Sequence, residues 1–268
     1  LARIIAIANQ KGGVGKTTTA VNLAACLAAA EQSTLLIDCD SQANATSAIG
    51  FTKDPSRRTL YHALIMGETL DKLVQKSQVD GLDVVPADKN LAGAAVELVT
   101  SENREYKLQG ALKTFQDKYK FIVLDCPPAL DLLTLNALVA ASAVLVPIQC
   151  EYLALEGVSE LLDTLMRIRR TLNPTLEIEG ILLTMYDERT SLSRQVATDL
   201  RSFFGTQVFQ SVIPRNVRLA EAPSFGKPII FYDIHSRGAE GYTQLAQEVI
   251  ANAEKRAGTG ARSAHSGA

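Results

Sequence analysis

Tryptophan is absent from the 268-residue chain, and aromatic side chains make up only 6% of it. A surface of stacking platforms for single-stranded nucleic acid has little material to be built from. Cysteine is sparse: Cys26, Cys39, Cys126 and Cys150 lie far apart in apolar segments, with no C-x-x-C pair. That pattern reads as reduced, buried thiols of a cytosolic protein rather than a disulfide framework. With only His62, His235 and His265 available, a zinc site lacks ligands. No uninterrupted apolar run reaches the roughly 18 residues of a membrane span, and no charged leader precedes the first strand-like segment. The expected location is therefore the cytoplasm, with no membrane contact. Excess charge is missing too, since 27 Lys and Arg stand against 29 Asp and Glu, a net charge of -2. The whole body is not a basic glove, and any contact with nucleic acid must come from a local patch.

What is present is apolar and alternating. At 47% hydrophobic residues the length suits one α/β domain whose core needs no staples. Ile4 to Ala8, Thr34 to Asp38 and Phe121 to Asp125 read as apolar strands, the last two ending in acids. Leu82 to Val85, Ala143 to Ile148, Ile178 to Thr184 and Val208 to Ile213 read as further strands. Helical patterns cover Thr17 to Ala30, Leu60 to Gln75, Ala92 to Leu112 as one helix or as two broken near Thr100 to Asn103, Leu155 to Leu172, Leu192 to Phe204 and Ala239 to Lys255. Short strands alternating with longer helices predict an α/β fold, a mostly parallel central sheet with helices on both faces. Arg215 to Ser236 reads as loop-rich. One domain is expected over residues 1–256, followed by a short disordered tail, 257–268, without an apolar face for a membrane.

The turn after the first strand carries the chemistry. The ordinary phosphate-loop pattern is G-x-x-x-x-G-K-[ST]; here Gly15, Lys16 and Thr17 satisfy its end, but Gln10 stands where the first Gly belongs. The physical requirements are still met. Gly12, Gly13 and Gly15 let backbone N–H groups turn inward, the helix opening near Lys16 offers its positive end, Lys16 reaches the β- and γ-phosphates and the Thr17 hydroxyl can ligate Mg²⁺. Lys11 is a second cation on the same loop. It either faces solvent or serves a phosphate bound in a partner subunit, where it would neutralise charge developing on the γ-phosphoryl group.

Asp125, at a strand end, fits the acid of the Mg²⁺ shell. Asp38 and Asp40 lie two apart where a strand stops, so they reach separately, toward metal and toward the attacking water; Asp40 is the choice for orienting that water. Asn44 either belongs to a loop closing over the γ-phosphate or caps the helix after it.

These stretches resemble the ParA/Soj-type chromosome-partition ATPases, in the deviant Walker A class that includes MinD-like proteins. The resemblance spans residues 3 to about 255. It rests on Asn9-Gln-Lys-Gly-Gly-Val-Gly-Lys-Thr-Thr-Thr19, Leu35-Leu-Ile-Asp-Cys-Asp40 with Gln42 and Asn44-Ala-Thr46, Val123-Leu-Asp-Cys-Pro-Pro128, Pro147-Ile-Gln-Cys-Glu151 and the segment Val212 to Pro223. It implies a P-loop ATPase that uses ATP and Mg²⁺ and hydrolyses ATP to ADP and phosphate. ATP would be held by Lys11, Gly12, Gly13, Val14, Gly15, Lys16, Thr17 and Thr18, with the loop from Pro214 onward enclosing the base and Thr17, Asp40 and Asp125 serving the metal.

The resemblance further implies an ATP-dependent homodimer in which Lys11 crosses to the opposite phosphates. That dimer would bind double-stranded DNA without sequence preference on the nucleoid, until a ParB/Spo0J-type centromere-binding partner stimulates hydrolysis. Arg189 and Arg218 map onto the family's DNA-contacting arginines, with Arg215 and Arg237 as further candidates; each is equally readable as a solvated or salt-bridged surface group. Ser41 departs from the family's usual Pro, removing no catalytic group. The short leader points to the chromosomal form without operator binding, and the tail argues against the membrane-binding branch. The alternative reading is an ATP-switched positioning or scaffold protein acting without DNA contact.

Overall fold

The computed structural model describes residues 1–152 and 154–265, with side chains through Arg256. Eight strands form one sheet: β1 (Arg3–Ile7), β2 (Thr34–Asp38), β3 (Gln75–Lys76), β4 (Leu82–Val85), β5 (Phe121–Asp125), β6 (Ala143–Gln149), β7 (Glu177–Tyr186) and β8 (Val208–Pro214). Their order is β3-β4-β2-β5-β1-β6-β7-β8. Every pairing is parallel except β3 with β4. The near-continuous apolar runs of β2 and β5, buried at all five positions, have this cause: a parallel sheet is covered on both faces.

Alternation divides the core. Ile4, Ala6, Leu35, Ile37, Ile122 and Leu124 face one layer, whereas Ile5, Ile7, Leu36, Val123, Leu145 and Leu182 face the other. The first layer is covered by α6 (Leu132–Ala140), α7 (Ala154–Thr171) and α8 (Ser191–Phe204), and the second by α1 (Lys16–Ala29) and α11 (Arg237–His265). Helix α7 is amphipathic, burying Val158, Leu161, Leu165 and Ile168 along one stripe. Asn173, beyond its end, donates to the carbonyls of Leu138, Val139 and Ala141 at 3.0, 3.1 and 2.8 Å, satisfying the end of α6.

Several sequence expectations change. Leu60 to Gln75 is not one helix but α3 (Leu60–Leu64), a single 3₁₀ turn at Leu70–Lys72 and the edge strand β3. Of the two readings of Ala92 to Leu112 the broken one holds: α4 (Leu91–Glu97) and α5 (Lys107–Leu112) are separate, with 3₁₀ turns at Leu98–Thr100 and Arg104–Tyr106 between them. The Arg215 to Ser236 stretch contains two short helices, α9 (Val217–Glu221) and α10 (Ile229–Tyr232). The closing helix α11 runs to His265, taking in most of the stretch read as a disordered tail. Once a long helix is nucleated, extending it fixes fewer dihedrals per hydrogen bond gained, which carries it on past Gly258 and Gly260. The remainder, 266–268, lies outside the described residues. No helix among the described residues is long and apolar enough to cross a membrane.

Candidate functional site

Register brings the acids to one edge. Asp38 pairs with Asp125 across β2 and β5, and Ile7 pairs with Asp125 across β1 and β5, so three strands end at the same level. The chain leaving β1 passes over that edge as residues 8–15 and enters α1. Gly13 and Gly15 sit at φ 74° and 89°, the left-handed region that side chains rarely adopt. Helix α1 has Gly15 as its N-cap, no side-chain cap and no acid in its first turn, so its leading N–H groups and positive end are left for an anion.

Two residues outside the glycine motif hold this loop in shape. Asn9 donates from Nδ2 to the Pro147 carbonyl at 2.7 Å and accepts from the Lys11 N–H at 2.9 Å. The buried Thr184 hydroxyl, at the end of β7, donates to the Val14 carbonyl at 2.9 Å. Sequence reasoning quoted Asn9 only as part of a motif and missed Thr184, for which no local signal exists.

Lys16 is buried and folds back, its ammonium donating to the Lys11 carbonyl at 2.7 Å. Burial pulls its pKa down, opposed chiefly by the charge of Asp125. Lys11 forms a salt bridge with Glu151, just beyond β6. Asp40 is buried, and its Oδ1 accepts the Gln42 N–H at 2.9 Å, an Asx turn that takes no N–H from residue 41 and so forms with Ser41 as it could with Pro there.

Asp125 is fully buried, and neither carboxylate oxygen has a hydrogen-bond partner. Burial, reinforced by the negative charges of Asp38 and Asp40, pushes its pKa well above the usual carboxylate range; Thr17 and Lys16 pull the other way and lose. An orphaned buried carboxylate beside the Thr17 hydroxyl offers two oxygen ligands to a divalent cation, while the uncapped helix start offers N–H groups to the phosphates that would accompany it. Among the described residues no cluster of three or more His, Cys, Asp or Glu could hold a metal by itself, so phosphate and hydroxyl oxygens must complete such a shell. Asp38, expected to reach toward metal, instead turns both oxygens to Asp40 and Thr46.

Thr17 and Thr18 line a cavity of about 280 Å³ closed by Asn44, Ser47, Pro223 and Lys227. The segment beyond α9 is tethered there by Asn22 Oδ1, which accepts the Ile229 N–H at 2.7 Å. A larger groove of about 450 Å³ lies at the ends of β7 and β8. Pro214, Tyr186, Val212 and Gly241 contribute to its lining, as do Arg189, Arg215 and Arg237. The fold thus gathers three of the four candidate arginines with Pro214. Arg218 does not line the groove and pairs on α9 with Glu221 at 2.9 Å and with Asp233 at 3.5 Å. Arg189 pairs with Asp187 at 2.7 Å and Arg237 with Glu188 at 3.4 Å.

Known proteins resemble this chain in sequence and fold. A sequence profile for the AAA domain matches residues 2–178. The chromosome partitioning protein ParA of Myxococcus xanthus is 53% identical over 248 residues, 92% of this chain and 88% of that protein. The sporulation initiation inhibitor protein Soj of Bacillus subtilis is 52% identical over 94% of this chain and its own full length. Cobyrinic acid a,c-diamide synthase from Mycobacterium smegmatis, solved with an ATP analogue and magnesium, superimposes with a TM-score of 0.80 at 34% identity, covering 92% of this chain and 93% of that one. The cell division ATPase MinD of Pyrococcus furiosus gives 0.77 at 27% identity, covering 93% and 98%. From the deviant phosphate loop, the sheet that carries it and these likenesses together, the chain belongs to the ParA/Soj family of partition ATPases, P-loop proteins of the deviant Walker A class.

Proposed function

We propose that the chain, over residues 1–256, is an ATP-switched chromosome-partition protein of the cytoplasm and nucleoid. It binds ATP with Mg²⁺, pairs with a second copy, holds double-stranded DNA without sequence preference and lets go when a ParB-type partner stimulates hydrolysis. The observation that carries the reading is the orphaned Asp125 carboxylate set beside an uncapped α1 and two loop lysines.

In this reading the N–H groups of residues 12–18 cradle the phosphates and Lys16 exchanges the Lys11 carbonyl for a β/γ-phosphate oxygen. Thr17 and Asp125 would hold the metal, with Asp40 at its margin. Bound Mg²⁺ supplies positive charge to the phosphate oxygens. The loop from Pro214 onward helps enclose the adenine. Asp40 accepts a hydrogen bond from the attacking water, which is thereby aimed at the γ-phosphorus; the bond to the bridging oxygen breaks and ADP and phosphate leave. Lys11 of each copy reaches the γ-phosphate held by the other and stabilises the charge developing there.

DNA contact needs the pair. Two small arginine patches joined across a symmetry axis meet more phosphates than one, so binding depends steeply on nucleotide and salt. Retention of DNA without nucleotide, with ADP and with ATP, across a salt series, tests the reading. Retention only with ATP and falling with salt is expected; equal retention in all three states overturns it. A scaffold without DNA contact draws on the acid pairing of Arg189, Arg218 and Arg237, and requires no retention in any state.

A further inference from the structure

The carboxylate of Asp38 closes the segment that carries Asp40 as a clasp closes a loop. Its Oδ1 accepts the Asp40 N–H at 3.1 Å; its Oδ2 accepts both the N–H of Thr46 at 2.8 Å and the Thr46 hydroxyl at 2.7 Å. The same Thr46 hydroxyl accepts the N–H of Ala87 at 2.9 Å, just past the end of β4. Asp38 and Thr46 are both buried, so water cannot take over these bonds if they are broken.

Inside the clasp the backbone is tightly turned. The Asp40 side chain accepts the Gln42 N–H, its carbonyl accepts the Ala43 N–H at 2.9 Å, and Ala43 sits at φ 55°. A residue other than glycine occupies that left-handed region where its surroundings impose it. Here both ends of residues 40–46 are fixed to one buried carboxylate.

We propose that Thr46 and Asp38 are positioning residues for ATP hydrolysis, setting the direction of the Asp40 carboxylate by locking both ends of the segment and tying it to the backbone at Ala87. The proposal rests on the reading that Asp40 orients the attacking water. Neither Thr46 nor the Asp38 carboxylate needs to touch substrate in this role. The Thr46 hydroxyl has one proton, given to Asp38, and a lone pair, given to Ala87; serine offers both, whereas isosteric valine offers neither.

The test compares Thr46→Val, Thr46→Ser and Asp40→Ala in the full chain, using single- and multiple-turnover hydrolysis of Mg·ATP, equilibrium ATP binding and thermal unfolding. For Thr46→Val kcat should fall about 10- to 100-fold, the scale of a small misplacement of a reacting group, while KM stays within about threefold. Thr46→Ser should return kcat to near the native value. Native kcat in Thr46→Val, with Asp40→Ala inactive, overturns the positioning role; so does a KM rise with kcat unchanged, the sign of a merely structural contact. Native turnover in Asp40→Ala overturns the Asp40 reading, and the positioning role with it. Should Thr46→Val fail to fold, the same split is read on Asp38→Asn, which keeps the shape but turns an amide N–H₂ toward Asp40 or Thr46. Native kcat there overturns the proposal equally.

Discussion

Lys11 is tied to Glu151 of its own chain by a salt bridge that spans from the phosphate loop to the end of β6. A lysine so held would have to loosen or share this bridge to reach a phosphate in a second copy, the role proposed for it. The cost would be small because both side chains are partly exposed, at 52% and 32%. Glu151→Gln should free Lys11 and shift ATP-dependent pairing to lower protein concentration, by roughly 1.4- to fivefold for each exposed pair worth ~0.2–1 kcal/mol. Lys11→Ala should bind ATP and remain single. Light scattering against protein concentration reads both, and a Lys11→Ala protein that pairs normally would remove this lysine from the interface.

Asp125 gives the nucleotide-free protein a pH signature. Unfolded, the carboxyl titrates near 3.8; burial and its acid neighbours raise it well above that in the fold, and Asp38 beside it is pushed up, by burial above all, to about 6. Between those values the folded chain binds more protons than the unfolded one. The contribution is therefore full below pH 3.8 and is lost as pH rises through the folded values. Asp125→Asn should flatten this slope and stabilise the metal-free chain at about pH 8 by ~1–3 kcal/mol, while abolishing the extra stabilisation by Mg²⁺ over ATP alone. Urea unfolding of the two proteins between about pH 5 and pH 8 isolates the group. An Asn variant with the native slope would contradict the account.

Gly180, inside β7, marks a close approach. A Cβ built there would lie 2.5 Å from Cε2 and 2.8 Å from Cζ of the buried Phe209 ring. Overpacking a rigid core site costs about 1–3 kcal/mol, so Gly180→Ala should lower the unfolding midpoint while leaving ATP affinity intact. Unchanged stability would mean that the ring retreats without loss.

The sheet and the phosphate loop were legible because their signals are local: apolar runs ending at Asp38 and Asp125, and Gly13 and Gly15 just before Lys16. Helix α6 was not read, since Leu132–Ala140 is apolar nearly all round and shows no stripe. Helices α9 and α10, five and four residues long, are set by packing and not by propensity. The hydroxyl that holds Val14 arrives from Thr184, 170 positions away, and nothing short of strand order brings it there. The direction of Asp38 was likewise hidden. Two carboxylates two residues apart at a strand end look equivalent until the chain after them is folded, when one is claimed by Thr46 and the other remains free to face the loop.

The arginines make the last prediction, because three of the four candidates, Arg189, Arg218 and Arg237, carry an acid that works against the proposed role. Asp187 is held down to about 2, chiefly by hydrogen bonds from Arg189, so it stays charged at every working pH and keeps that pair locally neutral. Glu188 pairs with Arg237 at 3.4 Å, and both acids line the groove with the arginines. Exposed pairs of this kind exchange partners cheaply, so a DNA phosphate can displace the carboxylate, but the displaced charge remains nearby and opposes the approach. On the proposed function, this would keep DNA affinity low for one copy and make it dependent on pairing. Arg189→Glu and Arg218→Glu should each weaken DNA retention of the ATP-bound protein and reduce the slope of log affinity against log salt by about one for each phosphate no longer neutralised. Glu188→Gln should act in the opposite direction, strengthening retention without changing ATP turnover in the absence of DNA. Filter binding across a salt series separates these outcomes. Unchanged affinity in both arginine variants would place the DNA surface elsewhere, and weaker binding by Glu188→Gln would show that this acid supports Arg237 instead of opposing it.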